Sequence, residues 1–142
     1  MTLKEENVII KIKEVKEMLI KRADLFLIKN IGDKLKDKVF NIQTQYKFLK
    51  LIKIADEEYP IYMEQFQSLL DSYAERDDQG NIIHSEDGGT KIKKNKMDIL
   101  QEKLYELKQI KVQVPDLYFS LDELEKLELK MEELNAFIDL IK

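Results

Sequence analysis

The sequence predicts a mainly α-helical protein: a long helix with antiparallel packing helices, a small β-hairpin insertion near residues 80–93, and short C-terminal helices. Three observations support this fold class. Apolar residues recur at helical spacing from Ile28 to Tyr73, a polar and glycine-rich segment interrupts them at 76–94, and helical spacing returns after Asn95. We therefore expect one elongated helical domain that spans residues 1–142.

The N-terminal segment has the pattern of an ordinary amphipathic helix. Between Leu3 and Ile20, apolar side chains fall on one helical face at Val8, Ile12, Val15 and Leu19. A tight link over residues 21–27 is expected to follow.

The next segment carries a continuous apolar stripe, which predicts one very long helix or two coaxial helices. Its members are Ile28, Ile31, Leu35, Val39, Ile42, Tyr46, Leu49, Ile52, Ala55, Tyr59, Met63, Phe66, Leu70 and Tyr73. At the rise of an α-helix this segment would be about 65 to 70 Å long. Gly32 predicts a bend near its start, because glycine weakens a helix. Pro60 predicts a kink rather than a stop, because the apolar phase continues beyond it.

The polar segment at 76–94 contains two turn-forming clusters, Asp78–Asn81 and Glu86–Gly89. Short apolar runs flank the second cluster, a pattern that predicts a small β-hairpin. An isolated two-stranded ribbon is marginal in water, so the hairpin should lean on a helix or on a neighbouring subunit.

The C-terminal third is expected to form three further helices. Asn95 is a candidate N-cap for a helix that ends near Lys108, and residues 112–115 read as an extended link. Ser120 with Glu123 matches a capping box, and two short helices broken near Leu129 should complete the chain. Residues 116–142 form an acidic segment with 3 Lys against 8 Asp or Glu.

Composition limits the classes of function. The chain has no Cys, which excludes a disulfide framework or a thiolate nucleophile, and its apolar runs fall far below the roughly 20 residues of a membrane span. Acidic residues near the start lead us to expect no secretory signal peptide.

Charge is distributed unevenly along the chain. Residues 1–53 hold 13 Lys or Arg against 7 Asp or Glu, whereas the remainder holds 11 against 21. Two interpretations stay open: the charges solvate helix faces, or the basic part of one copy meets the acidic part of another, head to tail. The basic part has Arg22 as its only arginine and no aromatic interleaving, so nucleic-acid binding is disfavoured.

Motifs that carry chemistry are weak. His84 lies beside Ser85 and Glu86, but a Ser-His-acid set adjacent along one strand does not form a catalytic relay. A partial calcium-loop pattern is the other candidate, formed by Glu75, Asp77, Gln79, Gly80, Ile82 and Glu86. It begins with Glu rather than Asp and runs into Gly88 and Gly89, so a solvated hairpin competes with a calcium site. We expect no enzyme activity, no catalytic residue, no metal and no cofactor.

The stripe supplies the candidate interface, because one short helix cannot cover its full length. The candidate interface residues are Leu35, Val39, Ile42, Tyr46, Leu49, Tyr59, Tyr62 and Phe66. For the aromatic residues from Tyr59 to Tyr73, packing in the core competes with an exposed patch. We expect the uncovered part to lie toward Leu35–Leu49.

Two segments of the sequence, LLDSYAERDDQGNIIHSEDGGTKI and VQVPDLYFSLDELEKLELKMEELNAF, hold 50 of the 142 residues, about a third of the chain, with motifs of moderate specificity. With them, the order of elements resembles a small, uncharacterised helical protein family of phages and prophages, mainly of Gram-positive bacteria. The start of the long helix departs from that family, since it is more basic and less regular here. The resemblance implies a phage origin and carries no catalytic or binding residue to transfer.

Two functions follow as expectations. The first is a non-enzymatic structural or assembly component of a phage particle, acting through helix-mediated contacts with its own copies or with other phage proteins. The second is a small phage accessory protein that binds and modulates a host protein through its helical face or its acidic C-terminal segment, residues 116–142. Both place the protein in the cytoplasm of the bacterial host, and the first also places it in the virion; neither involves a membrane.

Overall fold

The computed structural model describes residues 18–38 and 40–142. It confirms the mainly helical fold class with a long helix and short C-terminal helices. The elements in chain order are β1 (Met18–Lys21), α1 (Arg22–Leu35), α2 (Ile42–Ser72), α3 (Met97–Gln109), β2 (Lys111–Val114), α4 (Leu121–Glu125) and α5 (Met131–Ala136). Short 3-10 turns at Lys94–Lys96 and Ile138–Leu140 complete the order.

The first predicted helix, over 3–20, lies outside the described residues except for its last three positions. There the prediction is wrong, because Met18–Lys21 is a strand paired antiparallel with Lys111–Val114. The ribbon buries Ile20 and Val114, which supplies the core contacts that local helical periodicity did not include. The predicted link at 21–27 is also wrong, since α1 begins at Arg22.

The apolar stripe is divided between two antiparallel helices, so the expectation of a single or coaxial rod is wrong. α1 ends at Leu35 and α2 begins at Ile42, where the Asn41 side chain accepts a hydrogen bond from the Thr44 N–H at 2.8 Å. The chain reverses between them, so that Phe26 packs against Tyr59 with ring centroids 5.7 Å apart. Because α1 and α2 each carry part of the apolar stripe, their antiparallel packing buries much of the stripe between them.

Gly32 permits close packing of these two helices rather than a bend. It lies inside α1 and is buried, and a Cβ at this position would lie 2.8 Å from Cδ1 of Ile52 on α2. Pro60 does not end α2, which runs without interruption from Ile42 to Ser72.

The C-terminal segment packs on the first half of α2 through an aromatic cluster. The rings of Phe48, Phe119 and Phe137 lie 5.2 to 6.0 Å apart, and the two phenylalanines outside α2 are fully buried. The capping box of Ser120 and Glu123 at the start of α4 is confirmed. The break near Leu129 is also present, with Glu128 at a φ of 55° between the two short helices.

The insertion after α2 forms two successive hairpin turns, each with a glycine at positive φ, Gly80 and Gly88. Three backbone hydrogen bonds then form a closed triangle: the Glu75 N–H donates to Lys91, Lys91 donates to Ile83, and Ile83 donates back to Glu75, at 2.8 to 3.0 Å. This closure pairs the first and third segments and stabilises a ribbon that would be marginal as two strands. The predicted N-cap at Asn95 is wrong, because α3 begins at Met97 after a 3-10 turn.

Arg22 joins three parts of the fold at one buried point. Its guanidinium, 3% exposed, contacts Glu58 at 2.7 Å and donates to Gln65 at 2.6 Å and to the Leu107 carbonyl at 3.3 Å. The same group lies over the Tyr62 ring, 5.8 Å from its centroid. Arg22 therefore connects the start of α1, the middle of α2 and the end of α3.

We predict that Arg22→Ala lowers the free energy of unfolding by about 3 to 5 kcal/mol, because removing one partner leaves Glu58 and Gln65 without their donors. Denaturant titration followed by circular dichroism measures this change. The control is Lys29→Ala, which breaks the more exposed Lys29–Asp56 pair between the same two helices and should cost about 1 kcal/mol or less. Equal losses for the two variants would contradict the assignment.

Gly32→Ala should show a favourable coupling with Ile52→Val, which removes the methyl group nearest to the new Cβ. We expect the alanine to be better tolerated in the Ile52→Val background by about 0.5 kcal/mol or more. A double-mutant cycle of unfolding free energies measures the coupling, and additive effects would show that the helices do not approach each other this closely.

Candidate interaction surface

The reversal between α1 and α2 leaves an apolar row on the outside of α2. This row, here called the elbow stripe, consists of Ile42, Tyr46 and Leu49, with 83%, 56% and 64% of each residue exposed. The spacing of four and three residues places the three side chains on one helical face. Beside them, Leu35, Phe40 and Ile52 help to line a cleft of about 200 Å³ (elbow cleft).

Lysines border the elbow stripe. Lys50 Nζ lies 5.1 Å from the centroid of the Tyr46 ring, and Lys53 is exposed on the next turn of the helix. Residues 33–53 hold 6 Lys against 2 Asp. An apolar row with a basic border is suited to an acidic, partly apolar partner surface.

The structure describes seven of the eight predicted interface residues and separates them into three groups. Ile42, Tyr46, Leu49 and Tyr59 are exposed, Leu35 and Phe66 are half-buried, Tyr62 is buried, and Val39 lies outside the described residues. Tyr62 is only 7% exposed because it packs against Phe26 and under Arg22, and this burial raises the pKa of its hydroxyl. Tyr62 therefore belongs to the core, while the residues near the elbow remain accessible.

The acidic C-terminal segment carries a second surface, whose lining residues sequence reasoning did not identify. A groove of about 390 Å³, here called the C-terminal groove, lies between α4 and α5. It is lined by Leu121, Leu124, Glu125, Glu128, Leu129 and Leu134. The leucine spacing at 121, 124 and 127 was visible in the sequence, but it did not show that Leu121 stays 64% exposed while its neighbours turn inward.

Glu123 anchors the C-terminal segment to α2. Its carboxylate accepts hydrogen bonds from Thr44 Oγ1 at 2.5 Å, from Lys47 Nζ at 2.7 Å and from the Ser120 N–H at 3.0 Å. Burial opposes ionisation of this carboxyl, but the hydrogen bonds from Lys47, Thr44 and Ser120 and the Lys47 charge outweigh it and lower its pKa to about 2. The position of the C-terminal groove relative to the elbow stripe thus depends on an ionised carboxylate.

Because the folded pKa of Glu123 lies below its ordinary value of 4.5, this group stabilises the fold above that value. We predict that the contribution, about 3 kcal/mol, is lost progressively as the pH falls from near 5 toward 2. Unfolding free energies across this range should show a steeper acid limb for the unchanged protein than for Glu123→Gln. Glu125→Gln, at an exposed position of the same helix, is the control and should keep the full slope. An unchanged slope in Glu123→Gln would contradict the assignment.

The two weak chemical motifs fold as parts of the hairpin insertion. His84 is exposed and pairs through its backbone with Thr90. Asp77 uses its side chain to accept hydrogen bonds from the N–H groups of Gln79 and Asn81, which closes the first turn. Within residues 18–38 and 40–142, no cluster of three or more His, Asp or Glu side chains is arranged to hold a metal ion.

Neither the character of the helices nor the comparisons with other proteins assigns a function to the chain. In the part of the chain that the structure describes, no helix is both long enough and apolar enough to cross a membrane. Comparison with family models, curated proteins and solved structures gives no match to this chain.

Proposed function

We propose that the protein is a non-enzymatic structural or assembly component of a phage particle and that it acts through helix-mediated protein contacts at the elbow stripe. The observation that carries this proposal is the exposure of three large apolar side chains, Ile42, Tyr46 and Leu49, in one row on a helix. Exposed apolar rows with a polar border are typical of protein interfaces. The phage assignment is supported by the resemblance of the two sequence segments described above.

The rigid setting of the stripe supports this role. Asn41 caps α2 next to Ile42, and the Gln45 side chain donates to the Phe40 carbonyl at 2.8 Å. These local hydrogen bonds fix the first turn of α2, where the stripe begins. On the opposite side of α2, Phe48 packs into the aromatic cluster. A preordered surface loses little conformational entropy when a partner binds.

A phage accessory protein that binds a host protein is the second candidate. The observation that favours it is the C-terminal groove, where Glu125 and Glu128 border four leucines. Such a groove suits a basic amphipathic segment of another protein.

We predict that mass spectrometry of purified particles detects the protein at a fixed stoichiometry. Particles produced with Leu49→Lys should contain much less of it, because a lysine at the stripe introduces an unpaired charge at the contact. The matched control is Ile61→Lys, a comparably exposed position on the same helix but outside the stripe, which should be incorporated normally. Absence of the unchanged protein from particles would exclude the structural role and favour the accessory role.

A further inference from the structure

We infer that the elbow stripe of one copy binds the C-terminal groove of a second copy in a head-to-tail contact. This inference rests on the proposed function in that it takes the elbow stripe as the contact surface, and it names the occupant of that surface. Three observations support it. The two surfaces have opposite charge, one is an apolar row and the other an apolar groove, and a single chain cannot bring them into contact.

The borders of the two surfaces have complementary charge. Residues 33–53 hold 6 Lys against 2 Asp, a net charge of +4, whereas residues 121–134 hold 6 Asp or Glu against 2 Lys, a net charge of −4. Lys50 and Lys53 border the stripe, and Glu125 and Glu128 border the groove. Lys53, Glu125 and Glu128 are exposed and Lys50 is half-buried, and among the residues that the structure describes none of the four forms an ion pair. Opposite potentials at two surfaces speed their encounter and fix their register.

One surface is an apolar row and the other is an apolar groove. Tyr46 and Leu49 are exposed on α2, and the groove is lined by the half-buried Leu129 and Leu134 and by the buried Leu124. The exposed Leu121 at the entrance of the groove is suited to the elbow cleft beside the stripe. Burying large side chains on both partners supplies the apolar contact that charge alone does not.

Helix geometry prevents one chain from making this contact with itself. Thr44 lies two residues from both Ile42 and Tyr46, which is about 200° around an α-helix, so it faces away from the stripe. Thr44 and Lys47 are the residues that hold Glu123 and with it α4. The C-terminal segment therefore covers the face of α2 opposite the stripe.

The contact must then be heterologous, since it joins two different surfaces of identical chains. Such a contact closes into a ring if the rotation between copies allows it and otherwise extends as an open chain. In a ring every copy uses both surfaces, and in an open chain every copy except the two at the ends does.

A charge-swap experiment tests this inference. Lys50→Glu/Lys53→Glu reverses the charge of the two residues that border the stripe, so that the border residues of both surfaces are acidic in this variant. Glu125→Lys/Glu128→Lys does the same at the groove, so that the border residues of both surfaces are basic in the other variant. Sedimentation velocity of the unchanged protein should show association that grows with concentration and weakens with salt. The association constant of each variant alone should be lower than that of the unchanged protein by about tenfold or more, because like charges meet at every contact. An equimolar mixture should recover association, because opposite charges meet again in alternating copies.

Two controls keep the result interpretable. Unchanged thermal unfolding of both variants shows that the exposed substitutions leave the fold intact, and Lys103→Glu, an exposed lysine on α3, should not alter association. The inference is overturned if the unchanged protein stays monomeric, or if the mixture fails to recover what each variant lost. Those outcomes leave the particle experiment unaffected, so a failure of self-association is distinguishable from a failure of the proposed function.

Discussion

The fold depends on the burial of one charged side chain, Arg22. A guanidinium removed from water has a high desolvation cost unless its donors are satisfied, and here Glu58, Gln65 and the Leu107 carbonyl accept them. No rearrangement that separates α1 from α2 or α3 keeps these partners together. The antiparallel hairpin, rather than a continuous rod, is therefore the arrangement that this residue requires.

The two candidate surfaces follow from that arrangement. Once α1 folds back on α2, the inner part of the apolar stripe is buried at residues such as Ile28 and Ala55, while Ile42, Tyr46 and Leu49 remain exposed. The C-terminal segment then occupies the opposite face of α2, anchored by Glu123 and by the Phe48 cluster. Core packing thus places the elbow stripe on one face of α2 and the segment that carries the C-terminal groove on the opposite face.

Local patterns in the sequence were sufficient for the elements whose causes are local. The capping box at Ser120, the hairpin turns and the helix beginning near Met97 each depend on residues within a few positions of one another. The reversal after Leu35 was not predictable in this way, because stripe periodicity is the same for one rod and for two helices that pack together. Strand β1 depends on a partner about 90 residues away, and the burial of Tyr62 depends on Phe26 and Arg22; both are tertiary effects. The elbow end of the candidate interface was predicted, whereas the C-terminal groove required the packing of α4 against α5.

Native-state hydrogen exchange tests most directly whether the fold depends on the Arg22 contacts. The Arg22 N–H donates to the Ile110 carbonyl at 2.9 Å, so it reports the junction of β1, α1 and α3. We expect this amide, and those of α2 near Tyr62, to exchange only through global unfolding, with the same free energy of opening as the Leu51 amide in the core. Exchange at Arg22 through a low-energy local opening, while Leu51 stays fully protected, would contradict the account.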